Sequence, residues 1–315
     1  MRRLILVVSA TLSVCVAPAS AGENWPAFRG GPQPTIADEI TLPDSWDKSK
    51  NVVWSADIPG TGWSSPVVWG KRVYVTSVVS DAKGPEPRKG LYIEDVNGKA
   101  WPGKYRWLVT CLDRETGKKL WLREAFNGAG LPLHKKNTLA SETPVVDGEH
   151  VYAYFGNVGL VCYDLDGNEK WKHKWPVYKT RMNWGMAASP AVSDGRVYVV
   201  NDNEDHSTLT CLDSRDGHQI WEVPRDEKSN WSTPFIWRNE LRTEIITAGS
   251  NRIRSYDLNG KLLWELAGMS IISIPTPFAA NGLLYVTSGY IMDPKIKPVY
   301  AIRPGANGDI TLATG

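Results

Sequence analysis

The side chains in this sequence that could do chemistry fall into a few runs, and their spacing limits each one. Asn201-Asp202-Asn203-Glu204-Asp205-His206 offers oxygen ligands of the kind a Ca²⁺ ion accepts. It lacks the D-x-[DN]-x-[DN]-G order of a calcium loop, as does Asp164-Leu165-Asp166-Gly167, so both read as polar turns. His134-Lys135-Lys136-Asn137 could hold an anionic group, and its plainer reading is a solvated basic loop. No P-loop, H-E-x-x-H or G-x-S-x-G pattern occurs, and five His leave little for a His-based metal centre. The sequence names no catalytic residue and no metal ligand set.

Binding is better provided for than reaction. Four short runs combine Trp with polar residues: Gly62-Trp63-Ser64-Ser65, Ser141-Glu142-Thr143, Arg181-Met182-Asn183-Trp184 and Asn230-Trp231-Ser232. Each leads into a short apolar strand, and the strands belong to a repeat. If the repeats surround an axis, Trp63, Ser64, Glu142, Arg181, Asn183, Trp184, Asn230 and Trp231 gather at one mouth, where they would suit a flat or polar ligand. The bland alternative is that they fill the narrow end of the ring. Asn230-Trp231-Ser232 also fits a glycosylation sequon, but it opens a strand.

The repeat itself is plain. Cys111-Leu112-Asp113-Arg114-Glu115-Thr116-Gly117-Lys118-Lys119-Leu120-Trp121 returns as Tyr163 to Trp171, Cys211 to Trp221 and Tyr256 to Trp264, each with an Asp, a Gly-containing turn and a closing Trp. Ser/Thr-Pro before an apolar strand recurs at Pro66, Pro144, Pro190, Pro234 and Pro277, with spacings of 78, 46, 44 and 43. Proline is tolerated at a strand's first position because its missing donor is not yet needed. Hairpin turns such as Asp147-Gly148 and Asp194-Gly195 follow, then β-branched and aromatic strands such as Val197-Tyr198-Val199-Val200. The last three spacings match the roughly 40–45-residue period of a four-stranded propeller blade. The long first spacing is assigned to two insertions, Ser77 to Arg106 and Leu122 to Ala140, expected as surface loops.

The expected fold is therefore all-β, a propeller of four-stranded antiparallel blades. Asp113 and Gly117 serve the tight turn, and Trp121, Trp171, Trp221 and Trp264 pack between neighbouring blades. Asn51-Val52-Val53-Trp54 resembles a Trp-ending fourth strand with no blade before it, and Gly308 to Leu312 begins a fourth strand for the fifth unit without reaching a Trp. The expectation is a fragment or incomplete product of a longer ring.

Composition fits an exported domain. Arg2 and Arg3, the apolar stretch from Leu4 to Val16 and Ala19-Ser20-Ala21 read as a signal peptide cleaved after Ala21, too short for a membrane span. Cys15 follows a poor lipoprotein-like box. The expected divisions are residues 1–21 as signal peptide, 22–50 as an N-terminal extension and 51–315 as propeller, in a periplasmic or secreted protein. Net charge is +2, from 36 Lys+Arg against 34 Asp+Glu, which gives no reason to expect nucleic acid. The 15 Trp outnumber the 5 Phe and suit sheets packed on sheets. Cys111, Cys162 and Cys211 read as buried small residues in strands, with Cys162 one place before the site matching Cys111.

Cys111 to Trp121 resembles the tryptophan-docking motif A-x-D-x-x-T-G-K-x-x-W of the pyrroloquinoline-quinone (PQQ) propeller superfamily. Cys111 replaces the Ala, while Asp113, Thr116, Gly117, Lys118 and Trp121 match. Trp25-Pro26-Ala27-Phe28-Arg29-Gly30 resembles the opening of exported bacterial PQQ-like repeat proteins. The resemblance implies eight blades, of which five are present here. It also implies two functional branches: quinoprotein dehydrogenases that hold PQQ and Ca²⁺, and scaffolds such as the outer-membrane assembly lipoprotein. Dehydrogenases carry an adjacent Cys-Cys pair, which this chain lacks. The favoured expectation is a non-catalytic scaffold without cofactor, binding protein or polymer ligands at the mouth, with Trp63, Trp184 and Trp231 as anchors. The alternatives are a PQQ- and Ca²⁺-dependent dehydrogenase of alcohols or sugars, and a sensor domain joined to further domains beyond Gly315.

Overall fold

The computed structural model describes residues 24–31, 43–82, 97–290, 292 and 295–312. The expected leader, Cys15 and part of the first insertion lie outside them. Five sheets, antiparallel apart from one late-returning strand, follow one another along the chain. The first comprises β1 (Val67–Trp69), β2 (Arg72–Ser80), β3 (Lys104–Asp113) and β4 (Lys119–Ala129). The second comprises β5 (Val145–Val146), β6 (His150–Tyr154), β7 (Leu160–Asp164) and β8 (Glu169–His173). The third has β9 (Ala191–Ser193), β10 (Arg196–Asn201), β11 (Thr208–Asp213) and β12 (Gln219–Pro224). The fourth has β13 (Phe235–Arg238), β14 (Thr243–Ala248), β15 (Arg252–Tyr256) and β16 (Leu262–Ala267). β17 (Phe278–Ala280), β18 (Leu283–Thr287) and β19 (Val299–Ile302) form a three-stranded fifth, and β20 (Gly308–Asp309) returns to the fourth. The first strands β1, β5, β9, β13 and β17 touch in succession, which makes the sheets blades of a propeller. Among the described residues no helix is long and apolar enough to cross a membrane.

Each of the first three blades is built on one cross-strand row. Tyr74, Cys111 and Trp121 face one another across β2, β3 and β4, as do Tyr152, Cys162 and Trp171, and Tyr198, Cys211 and Trp221. Cys162 is thus the true counterpart of Cys111, which corrects the motif alignment by one residue. The turn after Asp164 is shorter than that after Asp113, and a bulge follows the cysteine in both strands. All three thiols are buried and free.

Two relays join the blades. Trp121 Nε1 donates to Leu165 O (3.0 Å), Trp171 Nε1 to Ser214 O (2.9 Å) and Trp221 Nε1 to Leu258 O (3.1 Å). The acceptor is always the residue after the repeat Asp, whose carboxylate caps the turn: Asp164 Oδ1 accepts from the amides of Asp166 and Asn168. The indole lies flat over the turn glycine. At Gly167, with φ +81°, an added Cβ would stand 2.7 Å from Trp121 Cδ2, so both conformation and space demand glycine. The second relay uses the hydroxyl before each proline. Ser65 N donates to Thr143 Oγ1, Thr143 N to Ser189 Oγ and Ser189 N to Thr233 Oγ1. The Ser/Thr of Ser/Thr-Pro therefore ties blade to blade, a role the sequence reading missed.

Several expectations are corrected. The insertions are not wholly loops: β2 runs to Ser80, β3 starts at Lys104 and β4 continues to Ala129. The rest of the second insertion buries Leu133, Asn137, Thr138 and Ala140, because it folds over the mouth instead of into solvent. Gly308-Asp309 does not pair within blade five; it runs parallel to β16. Arg242 Nη2 holds Ala306 O at 2.6 Å, and Ile310 packs on the cluster around Trp264 and Leu266. Trp264 packs against the fifth blade as expected, buried with Leu284, Val286 and Ile302, but its Nε1 donates to Glu244 Oε2 of its own blade (2.8 Å) instead of to a following turn. The lone Trp54 has found a seat: its Nε1 donates to Arg114 O (2.8 Å) as the other docking indoles do.

Candidate functional site

The loops leading into β1, β5, β9, β13 and β17 lock together at one mouth. Trp63 N and Ser64 N both donate to Ala140 O, and Ser64 Oγ donates to Thr76 O. Asn137 Nδ2 donates to Trp184 O (3.1 Å) and Met186 O (2.8 Å), binding the second insertion to the third loop. Arg181 N donates to Ser229 Oγ, and Trp231 Nε1 to Gly185 O at 2.8 Å. Asn230 is buried and its Oδ1 accepts from Ser273 N (2.8 Å), fixing the fifth loop. Short backbone-directed bonds thus hold these loops, whose regular element is a 3-10 turn at Arg181–Asn183.

Not all the predicted residues reach the surface. The Trp184 and Trp231 rings lie 5.6 Å apart, both half-buried, with the His134 ring 5.9 Å from Trp184. Trp63 is 44% exposed and Met182 40%. Met182 (φ 49°) and Asn183 (φ 57°) both adopt left-handed backbone, a strain that local bonding must hold. Asn183 is exposed and Arg181 half-buried beside them. Glu142, at 2% exposure, lies beneath the rim instead of on it. Burial pushes its carboxyl up to about 8.

The oxygen-rich run is committed elsewhere. Asp202 forms a fully buried, bidentate pair with Arg225, whose Nη1 also reaches Thr247 Oγ1 and Tyr256 OH. Asn203 Oδ1 caps the turn through the amides of Asp205 and His206. Arg254 pairs with Glu227 and Glu265 just behind, and burial raises the Glu227 carboxyl to about 7. Sequence reasoning missed this network; Arg225-Asp226-Glu227 at the end of a strand was the available signal. Asp213, Asp216 and His218 bring ligand atoms within 4.8 Å of one another, but Arg215 already engages both Asp213 oxygens.

On the axis, the segment after Asn24 lies along the inner strands. Trp25 pairs with Val68 in both directions and Pro26 O accepts from Val146 N. Ala27 and Phe28 then line a cavity of about 100 Å³ with Val146, Ala191 and Phe235.

Comparison with known proteins adds family to geometry. The model of the PQQ_2 family, described as outer membrane protein assembly factor BamB, matches residues 106–270, just over half of the chain. An outer membrane protein assembly factor BamB of Shewanella oneidensis is 20% identical over 221 residues, covering 69% of this chain and 49% of that protein. The chain thus spans about half the length of the curated relative it matches. Solved structures include BamB from Moraxella catarrhalis, with TM-score 0.43 and 13% identity over 75% of this chain and 72% of that one. A quinohemoprotein alcohol dehydrogenase from Comamonas testosteroni gives TM-score 0.47 and 13% identity over 78% and 43%.

Proposed function

Because the chain belongs to the PQQ_2 family, described as outer membrane protein assembly factor BamB, we propose that it is an exported, non-catalytic scaffold that holds protein or polymer ligands at the propeller mouth. The observation that carries this reading is the aromatic rim: the Trp184 and Trp231 rings meet at a tilt, pinned through Gly185 O, with Trp63 and Met182 exposed on neighbouring loops. Rigid aromatic side chains give large contact area at low entropic cost, the usual anchors of a binding surface. The relative's name, an assembly factor for outer membrane proteins, favours a protein ligand and a periplasmic site of action.

The second reading, a quinoprotein dehydrogenase, meets an obstacle in the residues present. PQQ is a flat tricarboxylate, and ligand pockets for molecules of its size run to roughly 300–1,000 Å³. The axial cavity here is about 100 Å³, its walls are mostly apolar, and no Lys, Arg or His is among its lining residues. The described lining of this cavity does not fit the group. Adding PQQ and Ca²⁺ to the full-length protein separates the readings: the scaffold gives no thermal shift and no dye reduction with alcohols or sugars. Saturable turnover would replace it with the enzyme.

A further inference from the structure

The rim carries charge as well as aromatic rings. Its loops form one hydrogen-bonded belt: Trp231 Nε1 donates to Gly185 O, Ser232 Oγ to Pro275 O and Ser250 Oγ to Ile271 O. Along this belt the exposed apolar side chains continue past Trp63 and Met182 to Ile271 and Ile274, which are 38% and 58% exposed. Exposed hydrophobic residues scattered singly need no explanation, whereas ones gathered on adjoining loops mark an interaction surface.

The charges flanking the belt are mostly of one sign. Lys99, Lys179, Lys228 and Lys297 are all exposed. Lys99 exchanges backbone bonds with Leu133, and Gly98 N beside it donates to Met182 O. Lys228 precedes Ser229, whose hydroxyl accepts from Arg181 N. Lys297 lies against Gly289, next to Ser288, whose hydroxyl accepts from Ser270 N of the fifth loop. The carboxylates of the same loops are turned inward. Asp205 Oδ2 accepts from Lys179 N and Glu204 Oε1 from Ser229 N, while Asp202 and Glu227 are buried against Arg225 and Arg254. Asp226 stays exposed beside Lys228. An apolar centre inside a polar rim is the anatomy of a protein interface, and a rim of one sign selects and steers a partner of the other. A bilayer would call for protruding apolar wedges. Trp63, Met182 and Ile271 are each more than half covered, so they offer seats to incoming side chains instead.

We propose that the mouth receives an acidic segment of a partner protein, its apolar side chains seated along the belt and its carboxylates facing these lysines. The inference rests on the scaffold reading and names the chemistry of its ligand. The test is fluorescence anisotropy of labelled synthetic peptides with the full-length protein. One peptide alternates Glu with Leu and Phe, a second has Lys for every Glu, and a third has Ser for every Leu and Phe; phosphatidylglycerol vesicles are assayed alongside. The variants are Lys179→Glu with Lys228→Glu, Ile274→Ser, and Leu120→Ser on the outer edge as the control, with melting temperatures to check each fold. The expected result is saturable binding of the Glu peptide at about 1–100 µM, weakened at least ~10-fold by the paired Lys changes and at least ~5-fold by Ile274→Ser. Leu120→Ser should leave it unchanged, and raising salt from about 50 to about 300 mM should weaken it. Equal affinity for the Lys peptide, equal affinity for the Ser peptide, or binding of vesicles without the Glu peptide overturns the proposal. Lys-peptide binding that is lost on Trp184→Ala with Trp231→Ala would strike out the acidic partner alone and leave the scaffold reading standing. No peptide bound in solution, together with no crosslinked partner at the mouth in cells, would strike out both.

Discussion

Replacing Glu142 by Gln should change how stability depends on pH. The folded carboxyl titrates at about 8 against a reference of 4.5, because burial disfavours its charge. A raised carboxyl means that, between those values, the native protein keeps a proton the unfolded chain releases. Stability is therefore fully present below pH 4.5 and drains away as pH rises toward 8. One proton of difference corresponds to about 1.4 kcal/mol per pH unit, or ~2.7 kcal/mol between pH 5 and pH 7. Gln imitates the protonated acid and carries no such slope. Urea unfolding of both proteins at pH 5, 6 and 7 reads the effect, since the variant cancels every other titrating group, Glu227 included. The native protein should lose about 2.7 kcal/mol more than the variant over that interval. Parallel pH profiles would refute the argument that Glu142 is buried without a charged partner.

Other consequences follow from the packing. Trp171→Ala should cost on the order of 3–5 kcal/mol by chemical denaturation, and a loss below about 1 kcal/mol would contradict its seat on the Ser214 turn. Asp202→Asn strands a buried Arg225 and should cost about 3–5 kcal/mol, whereas the double change Asp202→Asn with Arg225→Met should recover a large part of it. Gly167→Ala forces an unfavourable φ against the Trp121 ring; a melting scan should show at least ~2 kcal/mol of destabilisation.

The repeat made the blades legible because each copy carries its own turn chemistry: Asp caps, Gly permits the left-handed step, and Trp covers both. The same residues hid their register. Tyr163 follows a bulge, so matching letters placed it beside Cys111 while the ladder places Cys162 there. Long-range effects were not readable. Nothing local in Gly308-Asp309 says it will leave blade five, because that choice depends on Arg242 and on Ile310 reaching another sheet's core. The mouth was half legible. Trp63, Trp184 and Trp231 were found from composition at the lead-in loops, but depth was not, and Glu142 proved to lie under the rim where only packing could show it.

The rim's role is measured most directly by placing a photo-crosslinking amino acid at position 63 and, in a separate protein, at exposed Leu120 on the outer edge. After irradiation in the native cells, a discrete adduct at 63 that disappears when Trp184 and Trp231 become Ala is the expected outcome, with none at 120. Equal adducts at both positions, or adducts indifferent to loss of the two indoles, would contradict a mouth-centred binding surface.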